Sequence, residues 1–263
     1  MQLAGRSVLL TGATGGLGHA LALALAARGA RLVLSGRRTD VLEALAARTG
    51  AQIAAADLAE PDAAARLAAE HPGIDVLVAN AALPGSGRLE GLAPRDVDRA
   101  LEVNLRAPIV LAHGLLPAMR RAGAGHLVFI SSLSGKAATQ GSSIYNATKF
   151  GLRGFAGALR AELHGTGVGV STIFPGFVRE AGMFADSGAR LPRGVGTVSP
   201  QQVADATVGA IEHDRGEVDV APLGLRLGAA FSAVAPEVAA RAARRLGGAE
   251  LASRMADGQA DKR

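Results

Sequence analysis
The chain has 263 residues, enough for one large domain or two small ones, and its 49% hydrophobic residues and 35 glycines suit a compact α/β protein. It has no cysteine, which excludes disulfides and thiolate metal sites, and its six histidines lack metal-ligand spacing, so no metal is expected. The net charge of +5 is carried by arginines scattered along helices, with aromatics at only 3%, which argues against nucleic-acid binding.

The first residues lead into a strand-like segment without the basic, apolar, small order of a leader. No apolar run reaches membrane-spanning length, so the cytoplasm is the expected compartment. Ser7-Val8-Leu9-Leu10-Thr11 reads as a strand that ends in the glycine-rich Thr11-Gly12-Ala13-Thr14-Gly15-Gly16-Leu17-Gly18. An alanine- and leucine-rich helix over 19–28 follows and stops at Gly29. Strands at 31–35, 52–56 and 75–79 alternate with helices at 40–48 and 61–70. These strands are continuously apolar, as expected when helices cover both faces of a parallel sheet.

Residues 94–121 read as one long helix, with Pro94 in its first turn and Pro108 and Pro117 as kink points. A strand at 126–130, a helix through Tyr145 to about residue 164 and a strand at 168–174 continue the rhythm. The Gly- and Pro-rich stretch 175–199 reads as a long loop of the kind that forms lids. A helix at 200–213 and a strand at 217–221 precede an Ala/Arg-rich helical tail, with disorder expected over 257–263. The pattern predicts one doubly wound α/β domain over 1–222, with 223–263 as its helical extension.

The glycine-rich turn lies between strand and helix, where backbone amides can approach a pyrophosphate at the positive helix end. Its glycines at 12, 16 and 18 follow G-x-x-x-G-x-G rather than G-x-G-x-x-G. After the second strand an NAD site usually places an acid. Here the chain reads Ser35-Gly36-Arg37-Arg38. A guanidinium suits a 2′-phosphate, so NADP is favoured over NAD, through Arg37 with Arg38 as alternate or second contact.

Tyr145 is the sole tyrosine, and Lys149 stands four residues on, sharing its helix face. A nearby ammonium favours the phenolate and pulls its pKa of about 10 towards the working range. Such a spacing is common on helix surfaces and gains meaning only from the residues around it.

Those residues are present. Thr11–Gly18, Asn80-Ala81-Ala82, Asn104, Ser132, Tyr145-x-x-x-Lys149 and Pro175-Gly176 stand in the order and spacing of the short-chain dehydrogenase/reductase family, which the chain resembles over residues 5–221. The resemblance implies a single Rossmann-type domain, a nicotinamide cofactor and alcohol–carbonyl redox chemistry. By that resemblance Ser132 bonds the substrate oxygen, with Ser131 the less favoured neighbour, and Tyr145 is the general acid/base. Lys149 holds the nicotinamide ribose and lowers the tyrosine pKa, and Asn104 orders a relay water. Gly12, Thr14, Gly15, Gly16, Leu17 and Gly18 form the phosphate turn, Asp57 and Leu58 lie near the adenine, and Asn80 and Ala81 run under the cofactor. Pro175, Gly176 and Val178 close the nicotinamide end.

Two positions depart from the family pattern: Ala82 replaces a glycine, and Glu180 stands where a carboxamide-binding threonine is usual, shifting that contact towards the Val178 backbone. Gly151, Gly154 and Gly157 interrupt the helix after Lys149 at roughly 1 kcal/mol each, which a subunit interface would explain, so a homo-oligomer (dimer or tetramer) is expected. Gly182-Met183-Phe184 and Leu191-Pro192 are placed over the substrate cleft, and their apolar character points to an apolar ketone or alcohol. The tail, with Leu223, Leu225, Leu227 and Phe231 before Arg241, Arg244 and Arg245, could cover the cleft, join an oligomer interface or rest on a membrane surface, and packing is the favoured role. The leading expectation is an NADP(H)-dependent oxidoreductase. The alternatives are a 3-oxoacyl-carrier-protein reductase and a non-catalytic nicotinamide-binding sensor or scaffold.

Overall fold
The computed structural model describes residues 1–192, 194–245 and 248–259. The chain alternates β1 (Ser7–Leu10), α1 (Gly16–Ala27), β2 (Arg31–Gly36), α2 (Thr39–Thr49), β3 (Gln52–Ala55), α3 (Ala63–Glu70) and β4 (Val76–Ala79). It continues through α4 (Pro94–Leu101), α5 (Ala107–Ala122), β5 (Gly125–Ile130), α6 (Ser143–Glu162), β6 (Val168–Pro175), the short α7 (Met183–Asp186), α8 (Pro200–Glu212) and β7 (Glu217–Val220). The described residues end in three helices, α9 (Leu223–Val234), α10 (Pro236–Arg245) and α11 (Gly248–Asp257).

All seven strands pair in parallel in the order β3-β2-β1-β4-β5-β6-β7. Alternation along each strand sorts side chains between two cores. Val8, Leu10, Val76, Val78 and Ile173 pack with Leu21, Leu25, Val203 and Ile211 of α1 and α8 on one face. Leu9, Leu77, Leu127, Phe129 and Val170 pack with Leu67, Leu111, Leu115 and Leu152 of α3, α5 and α6 on the other. The chain therefore reverses direction across the sheet between β1 and β4, and in this topology a crevice opens beyond the carboxyl ends of the strands at that point.

Two elements differ from the sequence reading. β3 is an edge strand with largely exposed side chains, not a buried one, because nothing pairs with its outer side among the described residues. The long helix over 94–121 is interrupted at Glu102–Arg106 by a π turn. Pro108 has no N–H to offer the Asn104 carbonyl, and the turn before it widens so that Ala107 donates to the Glu102 carbonyl instead. Pro117 sits inside α5 without ending it. Of the stretch expected to be disordered, Asp257, Gly258 and Gln259 are placed, and residues 260–263 lie outside the described residues.

Candidate active site
The strands hand over at their carboxyl ends to the walls of one cavity of about 910 Å³. At the exit of β1, Gly12 has φ +66°, and a Cβ there would stand 2.7 Å from the Ala81 Cα. A Cβ on Gly18, in the first turn of α1, would stand 2.2 Å from the Gly12 carbonyl oxygen. Only glycine lets the start of α1 and the exit of β4 come this close to the turn. Asn80 fixes that approach, donating from Nδ2 to the carbonyls of Thr11 and Gly12, both at 3.1 Å. The Thr11 hydroxyl accepts from the amides of Asn80 and Ala81 at 3.1 and 3.2 Å. The start of α1 carries no side-chain cap and no acid, so its first amides face the cavity with the positive end of the helix behind them.

At the exit of β2, Arg37 lies 3.9 Å from the Asp57 carboxylate, with 55% of its side chain exposed. An exposed pair at that distance contributes little, so the guanidinium keeps most of its donor capacity. Arg38 instead donates to the Thr14 carbonyl, which ties it to the glycine turn. Asp57 accepts from the Ala59 amide at 3.0 Å, and Leu58 is buried. Both border the cavity.

The exits of β5 and the first turns of α6 bring Ser132, Tyr145 and Lys149 together on the cavity wall. Ser132 accepts from the Ser134 amide at 3.1 Å, and its hydroxyl lies beside the Tyr145 phenol, whose ionised form it favours. Ser131 is turned away: its hydroxyl donates to the Lys149 carbonyl at 3.2 Å. Lys149 is 2% exposed and donates from Nζ to the Ile130 carbonyl at 3.0 Å. That ammonium lies 5.5 Å from the centre of the Tyr145 ring.

The electrostatics run against the simple expectation. Burial pushes the Tyr145 phenol up to about 12, and the Ser132 hydroxyl only partly opposes it. Burial pulls Lys149 down to about 8. Desolvation therefore dominates at both groups in this pocket, and Tyr145 is held as a neutral phenol.

Asn104 stands apart from the other three. It is 1% exposed, accepts from the Leu83 amide at 2.6 Å and donates to the Leu83 carbonyl at 2.8 Å. A longer 3.5 Å contact reaches the Thr148 hydroxyl, which itself donates to the Tyr145 carbonyl at 2.8 Å. The amide expected to order a water is thus bound to protein on both its oxygen and its nitrogen, because the π turn presents it to the Leu83 backbone.

The loop after β6 closes the nicotinamide end. A Cβ on Gly16 would meet the Ala181 Cβ at 2.3 Å, so this loop rests on the glycine turn. Phe177 and Phe184 pack with ring centres 5.0 Å apart. Glu180 has φ 70° and pairs with Arg179 at 2.8 Å rather than turning into the cavity. Val178 bridges Val198, and the two bonds of that bridge run from Val198 to the Phe177 carbonyl and from Arg179 to the Val198 carbonyl. The Val178 N–H and carbonyl are left out of it.

Several supporting groups carry no signal in the sequence. Thr11 and Thr148 are clamps whose hydroxyls resemble any other in the sequence. Lys136, just past Ser132, bonds Asp219 at 2.6 Å and Glu217 at 2.9 Å and lies 4.1 Å above the Phe174 ring, pinning β7 beside the site. Leu225, Gly228, Ala229 and Met255 of the tail line the cavity, and Gln259 donates to the Met183 carbonyl at 2.8 Å.

A parallel sheet with a glycine-built anion cradle at its switch point and a Ser–Tyr–Lys set beside it defines a nucleotide-dependent oxidoreductase fold. The chain belongs to the short chain dehydrogenase family, whose model matches residues 6–191. It is 37% identical over 227 residues to a ketoacyl reductase, HetN, of Nostoc sp., covering 83% of this chain and 79% of that protein. A short-chain dehydrogenase from Sphingobium yanoikuyae in complex with NADPH superposes with a TM-score of 0.76 at 29% identity, over 89% of this chain and 95% of that one. A bulky-bulky ketone specific alcohol dehydrogenase from Comamonas testosteroni gives a TM-score of 0.73 at 26% identity, over 88% and 94%. Among the described residues no helix is long and apolar enough to cross a membrane.

Proposed function
We propose that the chain is an NADP(H)-dependent enzyme interconverting an apolar ketone and its secondary alcohol. The observation that carries this reading is Ser132, Tyr145 and buried Lys149 gathered on the wall of the cavity that the glycine cradle also lines. The residues present fit the cofactor. The cradle is one that a Cβ at Gly12 or Gly18 would fill, and the uncapped start of α1 suits a pyrophosphate. Arg37, weakly held by Asp57, suits a 2′-phosphate, with Arg38 anchored behind it. Asp57 and Leu58 would border the adenine, Asn80 and Ala81 would form the floor, and Pro175 and Gly176 would frame the nicotinamide. The Val178 amide, left out of the Val198 bridge, would take the carboxamide in place of the family threonine.

When bound, the nicotinamide supplies the hydride. Ser132 and Tyr145 donate hydrogen bonds to the carbonyl oxygen as negative charge grows there, and Tyr145 gives it a proton. Tyr145 is a neutral phenol at neutral pH and so can act as the proton donor in the reduction direction. Lys149 has three donors, and the two not used on Ile130 would be available to the ribose hydroxyls. Asn104 is a positioning residue: it fixes Leu83 and, through Thr148, the first turns of α6. Met183, Phe184, Leu225 and Met255 give the substrate end its apolar character.

A 3-oxoacyl thioester is the second reading, favoured by the likeness to a ketoacyl reductase and by Arg244 on the cavity wall. NADPH and NADH consumption across ketones and 3-oxoacyl thioesters separates the two. Tyr145→Phe should lower turnover about a hundredfold or more in either case. Activity retained in that variant overturns the mechanism.

The reading treats 223–263 as an extension of the 1–222 domain and places the enzyme in the cytoplasm. It also includes a homo-oligomer through α6. Gly151 closes on the Leu105 side chain, but a Cβ on Gly154 or Gly157 would meet nothing within 4 Å, so their outward face is free for a second copy. Sedimentation as a monomer only would remove that part.

A further inference from the structure
The helices α9 and α10 have an outer side that the proposed reaction does not use. Leu223, Leu227, Phe231 and Val234 recur at spacings of four, four and three, one face of α9, and are 66%, 61%, 50% and 85% exposed. Val238, 52% exposed, follows on α10. Single exposed apolar residues are ordinary, but a contiguous face of this kind marks an interaction site.

This segment carries more arginine than carboxylate, although Arg244 lines the cavity. Between Val220 and Gly248 the sequence has four arginines, Arg226, Arg241, Arg244 and Arg245, against one carboxylate, Glu237. Glu237 is engaged by Arg241 at 3.2 Å. Arg226 stands exposed on α9 itself, one position from Leu227. A large apolar face flanked by arginine, on helices too short to span a bilayer, is the pattern of an element that lies in the interface of an anionic membrane.

We propose that the outer face of α9 and α10 docks this protein on an anionic phospholipid bilayer, with the apolar side chains entering the headgroup boundary and Arg226 beside them facing lipid phosphates. The opposite side of α9 supplies Leu225, Gly228 and Ala229 to the cavity. Docking in this orientation sets the cavity wall one helix away from the bilayer, a short path for an apolar substrate dissolved there.

The test needs no cofactor and is independent of the proposed activity. The full chain is sedimented with vesicles of phosphatidylcholine alone and of phosphatidylcholine mixed with phosphatidylglycerol, at low and high salt. Binding to the mixed vesicles should exceed binding to the neutral ones by about tenfold or more and should fall with salt. A Leu227→Ser/Phe231→Ser variant, altered only on the outer face, should lose about tenfold in vesicle binding while keeping the parent's thermal midpoint and its nucleotide binding. Equal vesicle binding by the variant overturns the proposal, because the attraction would then be diffuse charge. The proposal is also overturned if the parent forms a dimer without lipid that the variant breaks, since the face would then belong to a second copy.

Discussion
Tyr145 and Lys149 show how far one side chain's chemistry depends on what surrounds it. Their spacing in the sequence places them on one helix face, and α6 puts them there. The spacing says nothing about burial, and burial reverses the expected direction, raising the phenol and lowering the ammonium. The arginines behave similarly. Two adjacent guanidiniums look interchangeable in the sequence, but Arg38 is tied to the Thr14 carbonyl while Arg37 has only a distant, exposed carboxylate. Arg37→Ala should therefore raise the KM for NADPH by roughly tenfold to a hundredfold, the loss of one or two charge-assisted hydrogen bonds, and leave that for NADH nearly unchanged. Steady-state kinetics with both nucleotides checks this. A parallel rise in both would assign Arg37 to structure rather than to phosphate recognition.

At the scale of elements, most of the layout was legible before any coordinate: apolar runs gave the strands, glycines and prolines gave the boundaries, and the motifs fell at strand ends because ligands bind there in such sheets. The π turn at Glu102–Arg106 was not legible, since Pro108 offers either a kink or a widened turn and only packing decides. That turn determines what Asn104 does. Both its amide atoms serve the Leu83 backbone in a buried setting, so removing them leaves a buried N–H and a buried carbonyl without partners. Asn104→Ala should cost about 2 kcal/mol or more of stability in denaturant unfolding, in addition to any loss of turnover. A variant as stable as the parent but impaired in turnover would instead make Asn104 the organiser of a relay water. The tail was legible as helix but not as cavity wall: its inner residues are small or apolar like its outer ones, and the sequence does not say which side meets the sheet.

For the whole molecule, the shifted groups set how stability follows pH. His126, on β5, is 2% exposed, and burial lowers its pKa from 6.5 to about 4 against a weaker opposing pull from Asp214. Its Nε2 lies 2.8 Å from the Ser171 hydroxyl. That hydroxyl donates to the Arg215 carbonyl at 2.6 Å, so Nε2 is the donor to Ser171 and the neutral ring is the form the core holds. Between pH 6.5 and about 4 the unfolded chain takes up a proton that the folded chain refuses, and stability falls as pH falls. Lys149 acts at the other end. Its pKa drops from 10.5 to about 8, so from pH 8 upward the folded chain releases a proton that the unfolded chain still holds, and stability rises. Tyr145 opposes this above pH 10, where the unfolded phenol ionises and the folded one, shifted to about 12, does not. The thermal midpoint of the chain without nucleotide should therefore climb between pH 4 and 6.5, climb again between about 8 and 10, and turn down above that. Lys149→Met, which fills the same space without a charge, should abolish the second climb and raise the midpoint at pH 7, even as it removes turnover. If its midpoint runs parallel to the parent's from pH 8 to 10, the buried ammonium is not what makes the site costly to fold.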